Sequence, residues 1–222
     1  MVLFSSGYVF FKSPFEFYFH YFIFIVLVPI FLIKYGLPKF MMKLLLIPLI
    51  IGILHIAIGN NIPFTFLKIF GGIVLTISFF YGWIEFFQFD IIKIFEWYCR
   101  SCWVLVVIAL VQIFSFIIGF SSGYDFLWLL NKWGFVEGGL IGFRVNSILS
   151  EPTYLATALS PAVFISTKNL LSKSNFIFKK HQSILILLVV VLTTSSIGFL
   201  GILLSILLST DTIRLRYLIL GL

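Results

Sequence analysis

Charge is scarce in this chain: only 10% of its 222 residues are charged, against 61% hydrophobic. A water-soluble domain carries roughly 25% charged residues, so too few polar groups exist here to cover a water-facing surface. The mean hydropathy of +1.17 agrees. Cysteine is scarce too, with Cys99 and Cys102 forming a single C-x-x-C. One such pair cannot complete a four-ligand zinc site, and no βαβ pattern surrounds it to support a thioredoxin-like redox role. The two read as ordinary thiols at a helix entrance. His20 and His55 stand alone in apolar runs, and His181 adjoins Lys179 and Lys180. No metal and no cofactor is therefore expected. The N-terminus lacks a short apolar stretch ending in a small-residue cleavage site, so no cleaved signal peptide is expected. Internal repeats and low-complexity linkers are missing as well, which predicts one domain over 1–222. The net charge is +7, but the basic residues are dispersed rather than gathered on one face, which excludes nucleic acid as a partner.

What the chain has in abundance is long apolar runs. A bilayer core about 30 Å thick needs roughly 20 apolar residues per spanning helix. Backbone groups in lipid must bond internally, which leaves helices or closed barrels. Barrel strands alternate apolar with polar residues, and runs such as Ile184–Leu192 do not. The expected fold is all-α, a polytopic transmembrane helix bundle of about six spans. These fall near 17–33, 41–58, 64–84, 101–120, 152–167 and 183–208, with an outer loop over 121–151. Lys34, Lys39 and Lys43, then Lys93 and Arg100, then Lys168, Lys173, Lys179 and Lys180 fall on one side of alternating helices. The positive-inside rule makes that side cytoplasmic. Lys132, Arg144, Arg214 and Arg216 on the other side keep the bias moderate. Trp128 and Trp133 in the outer loop suit the aromatic belt of a membrane interface, or stacking on sugar rings.

Two stretches depart from plain apolar helix. Asp90, Lys93, Glu96 and Arg100 share one helical stripe and can pair as i,i+3 and i,i+4 neighbours. They predict an interfacial helix over 86–100, lying on the cytoplasmic leaflet ahead of the fourth span. A partner-docking helix is the alternative. In the sixth span, Thr194 to Gly198 and Gly201 to Ser205 have the small-xxx-small spacing that lets membrane helices approach closely.

The chemically informative stretch is Gly142-Phe-Arg144-Val-Asn146-Ser147-Ile-Leu-Ser150-Glu151-Pro152-Thr-Tyr154. Proline is favoured in the first turn of a helix, so Ser150 or Glu151 is the expected N-cap of the fifth span. A helix N-terminus attracts anions, and Arg144 lies seven residues earlier. Arginine presents a permanently charged fork to phosphate oxygens. A nearby carboxylate can orient that arginine or accept a proton from a hydroxyl nucleophile. An Arg–Glu pair that only anchors the helix is the competing interpretation of the same residues.

This stretch resembles the signature of bacterial O-antigen and capsular polysaccharide repeat-unit polymerases, in which an Arg and then a Ser precede a Glu-Pro-Ser/Thr-aromatic run entering a membrane helix. Leu192-Thr-Thr-Ser-Ser-Ile-Gly198 resembles the next landmark of that family, in the same order and at a similar separation. The likeness covers about residues 142–201. The related O-antigen ligases often carry an Arg within the later run, where this chain has Ser196, so the likeness favours a polymerase. The resemblance implies a glycosyltransferase-type reaction at the outer face of the bacterial cytoplasmic (inner) membrane. There a glycan on polyprenyl pyrophosphate is passed to a hydroxyl of another lipid-linked repeat unit. It implies Arg144 and Glu151 as catalytic residues, and Arg144 and Ser147 as substrate-binding ones. Arg214 and Arg216 in the next outer loop are weaker substrate-binding candidates for pyrophosphate contact, with plain interfacial anchoring as the stronger alternative. Implied partners are the polyprenyl-pyrophosphate-linked oligosaccharide, membrane lipid, and chain-length-regulator and flippase proteins. Family members have further helices and a second large outer loop, so the apolar return at Tyr217–Leu222 raises the expectation of a partial chain. A lipid-linked oligosaccharide flippase and a non-catalytic component of a glycan-assembly complex are the alternatives.

Overall fold

The computed structural model describes residues 8–12, 16–60, 62–130 and 134–209. Lys132, Trp133, Arg214, Arg216 and the run Tyr217–Leu222 lie outside the described residues. The chain is mostly helical. Two short extended segments, β1 (Val9–Phe11) and β2 (Phe17–Tyr18), precede α1 (Phe19–Tyr35), α2 (Lys39–Ala57), α3 (Pro63–Phe86) and α4 (Ile91–Ile117). A short α5 (Ser121–Tyr124) and a 3-10 turn (Phe126–Trp128) follow, then α6 (Pro152–Ser172), α7 (Lys180–Leu192) and α8 (Ser196–Ser209). By length and composition, α2, α3 and α4 are long and apolar enough to cross a membrane. α1, α7 and α8 are apolar but shorter.

The chain divides into two compact units. The first, Phe17–Ile94, is built on α1 to α3. Phe24, Val28 and Phe31 of α1 face α3, where Phe79 meets Phe24 and Phe31 at ring-centroid distances of 4.7 and 6.0 Å. α3 can come this close because Gly82 has no side chain: a Cβ there would strike the Phe31 ring. Gly52 of α2 makes the same room for Phe66. Most other large side chains of this unit point outward and are apolar, as expected of helices solvated by lipid rather than water.

The second unit comprises Phe95–Leu222 and Met1–Glu16. Its core is α6, which buries residues on nearly every face, from Leu155 to Asn169. Both α7 and α8 pack on α6. α4 turns toward the core a stripe with three- and four-residue spacing, Cys99, Cys102, Leu105, Val106, Ala109, Gln112 and Ser115. It turns Val104, Val107, Val111 and Phe114 outward. That spacing is the helical repeat. The Tyr98 hydroxyl and the Cys102 thiol both donate to the Ala158 carbonyl, at 2.8 and 3.4 Å. The two cysteines are therefore buried free thiols well inside α4 rather than at its entrance. Between α6 and α7, Asn169 gathers the turn: its amide donates to the Phe176 and Phe178 carbonyls, and its oxygen accepts from the Ser174 hydroxyl and the Phe176 N–H.

Two expectations are corrected. No separate interfacial helix occupies 86–100. Residues 87–89 form a turn in which Gln88 and Phe89 are left-handed, and Asp90 accepts from the Lys93 N–H at 2.9 Å. That is an N-cap bond, so the charged stripe begins α4 itself. α4 has 27 residues, about 40 Å at 1.5 Å per residue, which exceeds the bilayer core by roughly two helical turns. Of the expected charge pairs, Glu96–Arg100 forms, at 4.0 Å.

The expected sixth helix is likewise not continuous. It is cut into α7 and α8 at Thr193-Thr194-Ser195. Thr194 is left-handed, with φ 47°, a conformation a β-branched residue adopts only under constraint. The Thr193 hydroxyl donates back to the Val190 carbonyl at 2.7 Å and accepts from the Ser195 N–H at 3.3 Å. Ser and Thr side chains compete with the helix ladder in this way. A run that reads as a packing stripe is thus a helix break.

Candidate functional site

The break and the 136–151 loop meet. The loop opens with a tight hairpin, in which Glu137 and Phe143 form an antiparallel bridge and the Arg144 N–H donates to the Val136 carbonyl at 2.8 Å. Gly138, Gly139 and Gly142 all have positive φ, which only glycine takes without cost. Phe143 is fully buried against Phe116 and Phe135, with ring centroids 4.6 and 5.6 Å away. This aromatic clamp fixes the base from which Arg144 projects.

Arg144 reaches the C-terminal end of α7. Its Nε donates to the Thr193 carbonyl at 3.2 Å and to the Thr194 hydroxyl at 3.0 Å, and one Nη donates to the Thr194 carbonyl at 3.5 Å. The next N–H, that of Val145, donates to the Leu192 carbonyl at 3.2 Å. Carbonyls at a helix C-terminus lack intrahelical partners and carry partial negative charge. A guanidinium is a suitable cap for them. The other Nη makes no hydrogen bond among the described residues, so part of the fork stays unspent.

The next residues are drawn the other way, into α4. Gln112 is 1% exposed. Its amide nitrogen donates to the Tyr124 carbonyl at 2.9 Å and to the Asn146 side chain at 2.8 Å. Its oxygen accepts from the N–H groups of Asn146 and Ser147 at 3.4 and 3.0 Å. Asn146 also donates to the Leu149 carbonyl at 2.9 Å. Ser147 is left-handed, φ 53°, and fully buried, and its hydroxyl donates to the Leu105 carbonyl at 3.0 Å.

Glu151 is the N-cap residue of α6, with Pro152 in the first turn. Its carbonyl accepts from the Tyr154 and Leu155 N–H groups. Its side chain caps nothing and is exposed. No ion pair joins Glu151 to Arg144, because Gln112 and the α7 terminus hold the intervening segment. Of the predicted residues, Arg144 is bonded to the Thr-Ser run, Ser147 is bonded to α4, Glu151 is exposed, and Arg214 and Arg216 are outside the described residues.

Gln112 is the residue that sequence reasoning missed. Its signal was present: it is the single amide within the apolar run 101–120, and a polar group at such a position needs partners. Among the described residues, no three His, Cys, Asp or Glu side chains gather as a metal site. Compared with protein-family models, curated proteins and solved structures, the chain matches none.

Proposed function

We propose that the chain is a membrane-embedded glycan polymerase component, acting on polyprenyl-pyrophosphate-linked oligosaccharides at the outer face of a bacterial cytoplasmic membrane. In this reading α1, α2, α3, α4, α6 and the α7–α8 pair make the six crossings. What supports it is the meeting of Arg144 with the Thr193–Ser195 break: the two segments that carry the family resemblance, 49 residues apart, are bonded directly. Irregular backbone at membrane depth is tolerated where protein or a lined cavity satisfies it, and Arg144 satisfies it here.

The reaction places few demands on side chains. The bond from the anomeric carbon to the pyrophosphate oxygen breaks, and the acceptor hydroxyl oxygen bonds to that carbon. The pyrophosphate leaves with the electron pair, so it needs cations rather than a proton donor. Arg144 is suited to that leaving group through its unspent N–H groups. The acceptor hydroxyl loses its proton, and the free Glu151 carboxylate is suited to receive it. Ser147, with its hydroxyl committed to Leu105, serves this reading as a positioning residue.

The test is complementation of a polymerase-deficient strain that makes the cognate repeat unit, with glycan ladders run on a gel. Arg144→Ala and Glu151→Ala are expected to abolish the ladder at normal membrane levels. A well-expressed wild type that gives no ladder overturns the reading. A flippase would instead restore lipid-linked repeat units at the outer face without lengthening them.

A further inference from the structure

Cutting one helix in two creates a second helix start inside the protein, and that start is uncapped. Ser195 is the N-cap residue of α8, because its carbonyl accepts the first helical bond, from the Phe199 N–H at 3.1 Å. A serine at an N-cap normally accepts from the N–H two or three positions on. Ser195 does not. It is 2% exposed, and its hydroxyl has no hydrogen-bond partner among the described residues. The Ser196, Ile197 and Gly198 N–H groups have no intrahelical acceptor either, since a helix leaves its first donors unpaired. α8 runs for 14 residues, long enough for a full dipole at this end. One residue before Ser195, the Thr194 carbonyl and hydroxyl carry the Arg144 guanidinium. Among the described residues no carboxylate pairs with that guanidinium, and its partners are neutral oxygens.

We infer that the α7–α8 break is a binding site for a phosphate-class anion, held from one side by the spare N–H groups of Arg144 and from the other by the N-terminus of α8 with the Ser195 hydroxyl. Anions bind at helix starts for this reason, and the half-helix starts of discontinuous membrane helices face anionic substrate groups in the same manner. The inference rests on the polymerase reading for the identity of the anion, a pyrophosphate. The subsite itself assigns roles to Ser195 and Ser196, which the motif alone does not. Ser196 is exposed and so lies at the mouth, while Ser195 lies beneath it.

The test uses the full chain in nanodiscs of zwitterionic lipid, titrated calorimetrically with inorganic pyrophosphate and, separately, with farnesyl pyrophosphate. A third arm places the chain in nanodiscs containing phosphatidylglycerol, to show whether a phospholipid headgroup competes. Ser196→Pro is the incisive variant, because proline at the first helical position removes an N–H while leaving the helix intact. Ser195→Ala removes the free hydroxyl, and Arg144→Gln removes the charge. Ser172→Ala, at the far end of α6, is the control. Ser196→Pro and Ser195→Ala are each expected to weaken pyrophosphate binding about tenfold, and Arg144→Gln about a hundredfold, with melting temperatures close to wild type for the two serine variants. If Arg144→Gln loses binding while both serine variants bind as wild type, the α8 subsite is wrong and the polymerase reading stands. Wild type that binds neither pyrophosphate overturns the subsite, whereas failure of the polymerase reading shows separately, as a missing ladder.

Discussion

Replacing Gln112 with leucine tests the idea that one buried amide sets the shape of the loop. The side chain is 1% exposed and makes four hydrogen bonds, two given and two received. Leucine fills similar space and makes none. The Ser147 N–H, bonded at 3.0 Å, and the Asn146 side-chain oxygen, bonded at 2.8 Å, then lose their partner in a water-free setting. Each stranded buried group costs roughly 1–3 kcal/mol. The better burial of leucine offsets part of this, leaving a net loss of about 3 kcal/mol. Proteins of this size lose about 2–4 °C of melting temperature per kcal/mol, so the expected fall is about 6–12 °C. Tryptophan fluorescence of the purified chain during heating measures it. Asn146→Leu removes one of these bonds, that to the Asn146 side-chain oxygen, together with the Asn146 bond to the Leu149 carbonyl. It should cost a similar amount, and the double variant should cost less than the sum. A melting temperature within about 2 °C of wild type, or strict additivity, would refute the account of Gln112 as the clamp.

Three further outcomes follow from the same geometry. Ser147→Ala should lower the melting temperature by a few degrees, through loss of one buried bond worth about 1 kcal/mol, and leave the glycan ladder intact; a lost ladder at normal stability would mean that the hydroxyl touches substrate. Gly198→Ala should destabilise by roughly 1–3 kcal/mol, since a Cβ there sits 2.9 Å from Val190 Cγ1 and 3.3 Å from Ala156 Cβ, and adding Val190→Ala should recover part of the loss in the same melting assay. Cys99 and Cys102, 0% and 1% exposed and unpaired, should resist maleimide labelling in the folded chain and react fully once it is unfolded, as read by mass spectrometry.

The helical class is plain from composition, and most helix edges fall within a few residues of their apolar runs, as α1 and α2 do. Glu151 as N-cap with Pro152 behind it follows from local chemistry alone. The two places where the sequence misleads have a common cause. Periodicity reports which face of a helix is apolar, not whether the helix continues. Asp90 looks like one member of a charged stripe until its oxygen is seen capping α4. Thr193 and Ser195 look like small packing residues until the Thr193 hydroxyl is seen taking over ladder positions at Val190 and Ser195. The outcome at both sites depends on a side-chain oxygen competing with the backbone, which hydropathy does not record. Arg144 is a long-range case: nothing near it in the chain says that its partners lie 49 and 50 residues on.

Because Arg144 caps a broken helix, losing activity on its removal has two physical explanations, and stability separates them. As a clamp on the Thr193 and Thr194 carbonyls, it holds three bonds, and charge-assisted bonds of this kind contribute roughly 1.5–3 kcal/mol each. Lysine retains the charge but not the fork, so Arg144→Lys should keep one of the three and melt lower. A purely structural arginine predicts that ladder length and melting temperature fall together across Arg144→Lys, Arg144→Gln and Thr194→Val, and that pyrophosphate shifts the melting of none of them. An arginine that also holds the leaving group predicts something different for Thr194→Val. That variant loses a hydroxyl acceptor but keeps the guanidinium, so its melting temperature falls while pyrophosphate still raises it, as any ligand selective for the folded state must. In Arg144→Gln the same ligand should have no effect. If pyrophosphate stabilises Arg144→Gln as strongly as wild type, the arginine is a helix cap and nothing more.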